Sequence, residues 1–447
     1  MSSIESSNEK AFQTEQREQN SRLNTQYSAL SPQHSALEPL AVYIHTPFCP
    51  SKCGYCDFNS YAMLGDIMER TTRAQVEEIE RSPWRGRPAK TIFFGGGTPT
   101  FLSEDQLLRI LDAVLRVHPP IDGAEITSEA NPGTADADKF SAMRRAGFNR
   151  ISLGAQSFLD SDLVRLGRVH RSGEIERAVQ IARDSGFENL NLDLMFALPG
   201  QSRHAWRTNL DRALSMSPEH LSLYCLTIEQ NTPFYKQHIS GQLQLPDDDD
   251  QVAMYNECCT VMEAAGYEQY EISNFAKPGL ECKHNLCYWR AEEYAGYGPG
   301  AVGCISVSPP LKEGLGVDER AEHISKPGRQ TTEQSDHRSR IIDPTSQITD
   351  HRVRYTNLKH PERYCTAVEN NDPIAFESEE LTPNKQRTET IMLGLRMNNG
   401  LSTEGLNLPA NKLSQLTARG WIAEVDGVVR LTPDGRHFCS EVALELI

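Results

Sequence analysis

From Leu40 onward, short apolar runs alternate with longer segments whose apolar residues recur at helical spacing. That alternation is the mark of βα units around a parallel sheet. A strand covered on both faces reads as a continuous apolar run, whereas the crossover helix needs only one apolar stripe. Six runs qualify as strands, at 41–45, 91–94, 125–129, 150–154, 190–195 and 220–226. Six such units predict an α/β fold, a partial (β/α)6 barrel with its chemistry on the loops after the strand ends. Residues 103–116, 136–146 and 173–185 read as crossover helices, with Ser103 and Asp136 as N-caps. A further helix is expected at 247–265, where four successive aspartates suit the positive end of a helix dipole and read as a solvated helix start.

Residues 1–38 are rich in Ser, Gln, Asn and Glu and too poor in apolar groups to offset chain entropy, which predicts a disordered arm. The barrel core would span 39–305. A polar stretch at 306–350 reads as a disordered insertion, 351–382 as a connector, and 383–447 as a small α+β winged-helix-like domain. Within that domain, 416–431 looks like a helix end followed by a hairpin turning at Asp426-Gly427. Winged helices often bind DNA, but basic and acidic residues are balanced from Lys385 onward and the whole chain carries a net charge of -16. A phosphate backbone would be repelled, so nucleic acid is not an expected partner. Eleven cysteines, an odd number without the spacing of a disulfide framework, suit a reducing compartment. No apolar leader is present, and Glu5, Glu9, Glu15 and Glu18 do not suit an acid-poor presequence. With no apolar run near the roughly 20 residues a bilayer requires, a cytoplasmic location without a transmembrane segment is expected.

The strongest chemical signal is Cys49-Pro-Ser-Lys-Cys53-Gly-Tyr-Cys56, on the loop after the first expected strand. Three thiolates there can converge on one point. A cubane iron–sulfur cluster is normally held by four protein thiolates, so three on a tight loop leave one iron open to a further ligand. A structural zinc ion would need a fourth ligand and usually two separated pairs. Cys225, Cys258, Cys259, Cys282, Cys287, Cys304, Cys365 and Cys439 remain, and most are more simply small buried hydrophobes. After the second strand comes Gly95-Gly96-Gly97-Thr98-Pro99, where backbone without Cβ atoms can approach a ligand closely.

The Cys-x3-Cys-x2-Cys loop and the Gly-Gly-Gly-Thr-Pro run together resemble the radical S-adenosylmethionine (SAM) superfamily. That resemblance implies a [4Fe-4S] cluster on Cys49, Cys53 and Cys56, whose open iron is chelated by the methionine amino and carboxylate groups of SAM. The reduced cluster can then cleave the sulfonium to a 5'-deoxyadenosyl radical, the cofactor supplying the difficult chemistry. Further stretches, 42–48, 129–133, 154–158 and 191–194, resemble the oxygen-independent coproporphyrinogen oxidase group. By that matching Tyr43 and Tyr55 flank the cluster, while Gly96, Gly97, Thr98, Glu129, Gln156, Arg168 and Asp193 contact SAM. The residue types agree, since a zwitterion bearing a ribose needs carboxylates for its ammonium and hydroxyls and an arginine for its carboxylate.

Two features depart from the oxidase. Those enzymes carry another cysteine two positions after the third, where this chain has Phe58. The run His284-Asn285-Leu286-Cys287-Tyr288-Trp289 is similar to the His-Asn-x-x-Tyr-Trp motif of the HemW heme-chaperone family. Histidine is a standard heme ligand and the aromatic pair could offer flat faces to a macrocycle, with Cys282 and Cys287 as competing thiolate ligands. The resemblance implies a protein that binds heme and hands it to apo-hemoproteins, membrane respiratory cytochromes among them. A coproporphyrinogen decarboxylase, a radical methyltransferase that opens the heme ring, and a scaffold that no longer uses its cluster are the rivals.

Overall fold

A computed structural model describes residues 38–306 and 351–447, so the expectations for the remaining arm and insertion fall outside the described residues. The six expected strands form at Leu40–Thr46 (β1), Ala89–Gly96 (β2), Pro120–Ala130 (β3), Arg150–Gln156 (β4), Asn189–Phe196 (β5) and His220–Cys225 (β6). They lie side by side in sequence order and all in parallel, with helices in the crossovers. Their apolar side chains, Ile44, Ile92, Phe94, Ile151, Leu153, Leu192 and Leu221 among them, pack with the crossover helices into one continuous core. The helix Glu104–Val117 begins in a capping box: Ser103 Oγ accepts from Gln106 N, and Gln106 Oε1 accepts from Ser103 N. Asp136 caps Ala137–Ala146, and Asp247, the first of the four aspartates, caps Asp248–Ala264.

The sheet continues past the six-stranded arc on both sides. Beyond β6 lie Asn274–Ala276 (β8) and Glu268–Glu271 (β7), both antiparallel additions. Beyond β1 comes Tyr294–Tyr297 (β9), parallel to it, and then Val302–Ser306 (β10), Arg352–Asn357 (β11) and Ala375–Leu381 (β12). The segment 351–382, expected as a connector, thus supplies two strands of the main sheet and the helix Pro361–Glu369. Ser306 and Arg352 are directly paired across β10 and β11, so the chain between them leaves and re-enters the sheet at one place.

The C-terminal unit has its own apolar core, built on Ile391, Leu395, Leu406, Leu416, Ile422, Val429, Val442 and Leu446. Three helices, Pro383–Gly394, Ala410–Ala418 and Cys439–Leu446, pack with a small antiparallel sheet of Leu401–Ser402 (β13), Val428–Leu431 (β15) and Ile422–Val425 (β14). Its hairpin turns at Asp426-Gly427, with φ of 51° and 73°. Two positive φ values are what a two-residue turn matched to right-handed strand twist requires.

Candidate cofactor site

The loop after β1 carries Cys49, Cys53, Tyr55 and Cys56, and the end of β2 carries Gly96, Gly97 and Thr98. Glu129 ends β3, Gln156 ends β4, and Asp193 projects from β5. All of these, with Arg168, line one cavity of about 780 Å³, mouth included, at the C-terminal ends of the parallel strands. Two exposed apolar side chains, Phe58 and Val169, stand at its edge. Among the described residues no three His, Cys, Asp or Glu side chains close in on a single-ion site. The three thiols surround part of a cavity, which suits a polynuclear cluster that takes one thiolate per iron.

The glycine run is used first against the protein itself. A Cβ on Gly96 would run into the His45 ring, one on Gly97 would lie 2.6 Å from the Phe48 carbonyl oxygen, and one on Gly95 2.9 Å from the Phe93 ring. Gly96 also holds a φ of 103°. Its freedom lets β2 clamp the cysteine loop through Gly97 N to Thr46 O and Thr98 N to Phe48 O, both 2.7 Å. Thr98 Oγ1 lies 3.5 Å from Cys49 Sγ. Lys52 Nζ donates to the carbonyls of Phe58 and Ser60 and closes the loop from the other side.

The cavity walls carry polar capacity that the protein does not use. Arg168 Nη2 donates to Gly154 O at 2.7 Å and Nη1 reaches Cys53 Sγ at 3.8 Å, while its buried Nε has no hydrogen-bond partner among the described residues. Glu129 accepts from Gly96 N at 3.2 Å; burial first, then the charge of Asp193, pushes its carboxyl up to about 8. Burial also raises Asp193, opposed by hydrogen bonds from Asn191, Ser222 and Ser152. One unpartnered arginine nitrogen and two buried carboxylates, of which Glu129 accepts a single hydrogen bond, fit a ligand carrying a carboxylate, an amino group and hydroxyls. Burial raises the Cys49 and Cys56 thiols as well, so a bare thiolate is disfavoured there and a metal would have to supply the charge that deprotonates them. Gln156 adopts a φ of 64°, a strained conformation for a residue with a Cβ, where it turns into the cavity.

The barrel's other end is shut by the helix Lys283–Trp289. Glu125, midway along β3, accepts from Lys283 N and His284 N at 3.1 and 3.2 Å and so caps this helix. His284 Nδ1 pairs with Thr91 Oγ1 at 2.8 Å and Nε2 with Tyr288 Oη at 3.0 Å, while its ring stacks on Phe93 at 4.9 Å. It is 1% exposed, and burial, with Arg150 and Lys90 nearby, lowers it to about 3, so it is neutral. Cys282 and Cys287 are buried too, both pushed up to about 12 by desolvation. All three candidate heme ligands therefore lie at the floor and outside the cavity that the three thiols line. Tyr43 stands between: it lies outside the cavity lining, with its Oη 3.0 Å from His45 Nδ1 and its ring 6.4 Å from that of His284. The aromatic faces expected to greet a macrocycle are engaged as well, Tyr288 edge-on to Tyr294 and Trp289 under the guanidinium of Arg396 at 4.5 Å.

Comparison with known proteins accords with this geometry. The model of the Radical SAM superfamily matches residues 43–213. The heme chaperone HemW of Bacillus subtilis (strain 168) is 45% identical over 268 residues, spanning 59% of this chain and 71% of that protein. This chain belongs to the HemW heme-chaperone family. The HemW of Mycobacterium tuberculosis (strain ATCC 25618 / H37Rv), 30% identical over 416 residues, covers 92% of this chain and 95% of its own length. Among solved structures, coproporphyrinogen III oxidase (HemN) from Escherichia coli superposes with a TM-score of 0.71 over 94% of this chain and 92% of its own. At 20% identity that likeness speaks for the radical SAM fold alone.

Inside the barrel of this HemW-family member, sequence reasoning passed over Arg150, Asn191, His220 and Tyr270. Arg150 is 2% exposed, with a buried Nε that has no partner among the described residues. A signal was present: Arg150 and Ser152 on β4, Asn191 and Asp193 on β5, and His220 and Ser222 on β6 are polar residues spaced two apart in otherwise apolar strands. Period two places each pair on one face.

Proposed function

We propose that this chain binds a [4Fe-4S] cluster on Cys49, Cys53 and Cys56, holds SAM above it, and carries heme to apo-hemoproteins such as respiratory cytochromes from the cytoplasm. When bound, the reduced cluster would supply the electron for cleaving the SAM sulfonium. The protein's own part is to hold and orient. Arg168 would take the cofactor carboxylate, Glu129 an N–H of its amino group and Asp193 its hydroxyls, with Gly96, Gly97, Thr98 and Gln156 as the polar wall. The observation that carries this reading is the gathering of three thiols with Arg168, Glu129 and Asp193 around one cavity. The heme half rests on kinship with proteins named heme chaperones and on Phe58, exposed at the mouth where the oxidases have a thiol. His284 is the proposed heme contact. Because both its ring nitrogens are engaged, binding there requires the floor helix to move.

The alternative is an oxygen-independent coproporphyrinogen oxidase. Anaerobically reconstituted protein is to be given SAM and reductant with coproporphyrinogen in one arm, and heme with an apo-cytochrome in the other. Heme transfer without protoporphyrinogen is the expected result. Steady turnover of coproporphyrinogen would overturn the chaperone reading, and cluster retention in the triple alanine variant of Cys49, Cys53 and Cys56 would overturn the cluster assignment.

A further inference from the structure

Asp193 is one end of a buried chain of hydrogen bonds that crosses the barrel from mouth to floor. Its Oδ1 accepts from Asn191 Nδ2 at 2.8 Å and its Oδ2 from Ser152 Oγ at 3.1 Å. Asn191 Nδ2 also donates to Ser152 Oγ at 2.7 Å, while Asn191 Oδ1 lies 2.6 Å from His220 Nδ1 and accepts from Ser222 Oγ at 3.2 Å. His220 Nε2 is 2.9 Å from Tyr270 Oη, and Tyr270 Oη accepts from Asn285 Nδ2 at 3.5 Å. Asn285 belongs to the helix that shuts the floor.

Donor and acceptor chemistry fixes the direction of this chain. A flipped Asn191 amide would set its oxygen against the Asp193 carboxylate, acceptor against acceptor. Asn191 Oδ1 must therefore face His220, whose Nδ1 carries the proton and donates. Nε2 is then the acceptor, and Tyr270 Oη donates to it. Every proton from Tyr270 onward points toward Asp193, and each bond polarises the next. Asn191 and His220 are buried, so water does not compete for these bonds.

We propose that His220 and Tyr270 are positioning residues for Asp193: they orient its carboxylate and favour its ionised form, and Asn285 ties the floor helix to that relay. This deepens the cofactor reading above, on which it rests. The groups facing Asp193 are Glu129 from β3, Arg150 from β4, His220 and Tyr224 from β6, and Arg168 across the cavity. Of these, Glu129 titrates in the range of interest, and Asp193 itself sets a lower limb of any affinity–pH curve. Removing a donor from the relay leaves the carboxylate less stabilised, so that lower limb must move to higher pH.

The test uses the full-length, cluster-loaded protein and measures SAM affinity by equilibrium dialysis across pH, in wild type, Tyr270→Phe, His220→Gln and Asp193→Asn. Tyr270→Phe removes one hydroxyl and keeps the ring. It is expected to bind SAM about threefold to tenfold more weakly near neutral pH, as loss of one net hydrogen bond implies. Its lower limb should shift upward while the cluster absorbance is unchanged. His220→Gln should move the curve in the same direction. A Tyr270→Phe curve superimposed on wild type, or weakened by one factor at every pH, would overturn the relay. If Asp193→Asn itself binds SAM like wild type, the cofactor contact fails instead, which separates the two readings.

Discussion

Glu129 and Asp193 share a desolvated wall, and two carboxylates so placed ionise one after the other rather than together. With its carboxyl pushed up to about 8, Glu129 is mostly protonated at neutral pH in the free protein, and an N–H of the cofactor amino group donates to its ionised form. Binding therefore releases a proton and strengthens as pH rises through about 8. SAM affinity should climb between about pH 6.5 and 8.5 in the wild type and lie flat there in Glu129→Gln, a difference that titration calorimetry in buffers of different ionisation enthalpy reads directly. At this scale much of the site was legible. Glu129 and Asp193 were named by matching to the family's stretches, and a carboxylate near the end of an apolar strand, costly without a partner, agrees with that matching. What it missed was the reason for the glycines. Side-chain volume at Gly96 and Gly97 is forbidden by His45 and by the Phe48 backbone, contacts made across β1 and β2 that no local pattern announces. His284 was legible as a motif and opaque in its surroundings, because its partners Thr91 and Glu125 are remote in the chain.

At the scale of elements, the floor helix Lys283–Trp289 is held from outside by the C-terminal unit. Arg396 lies over Trp289 and donates to Glu271 at 3.1 Å, and Glu271 has no solvent-exposed side-chain surface. Asn398 N donates to Tyr270 O at 3.0 Å, which fastens the same unit to β7. Arg396→Met keeps much of the side-chain bulk and strands the buried Glu271 charge, so it should cost roughly 3 kcal/mol in urea unfolding. The double variant Arg396→Met with Glu271→Gln should recover a large part of that loss, because the uncompensated charge is gone. The parallel strands were readable to within two residues at most boundaries, the start of β3 excepted, because burial on both faces gives an unbroken apolar run. β12 was not, for a physical reason: Ala375–Leu381 is an edge strand carrying three glutamates, most of it exposed, and its pattern is that of a loop. It pairs through backbone hydrogen bonds with β11, which the side chains do not advertise.

For the whole molecule, the β10–β11 junction is where the expected insertion can be tested. Ser306 and Arg352 are paired partners, so residues 307–350 can be replaced by a short turn without moving either strand, and loop-closure entropy changes only slowly with length. Such a variant should keep its unfolding midpoint within a few degrees of wild type, which a thermal scan checks, and load the cluster to the same extent by iron analysis. The residues of the C-terminal apolar cluster, Ile391 to Leu446, lie within the stretch that period and composition marked out from 383 onward. The contacts that bind this stretch to the floor helix and β7 were not legible, since they run through single polar side chains such as Arg396 and Asn398. The closed floor sets the route of traffic. Glu125, Arg150, His220, Cys282 and His284 are each under a tenth exposed, so this end of the barrel offers no way out, while Phe58 and Val169 stand at the open edge. A cofactor seated on Glu129 and Asp193 leaves past that edge, whereas heme at His284 would enter only where the floor helix Lys283–Trp289 moves, off the route of the cofactor. The release rate of SAM, followed by dilution of radiolabelled cofactor, should accordingly be the same with and without heme, and should change when Phe58 is replaced by aspartate.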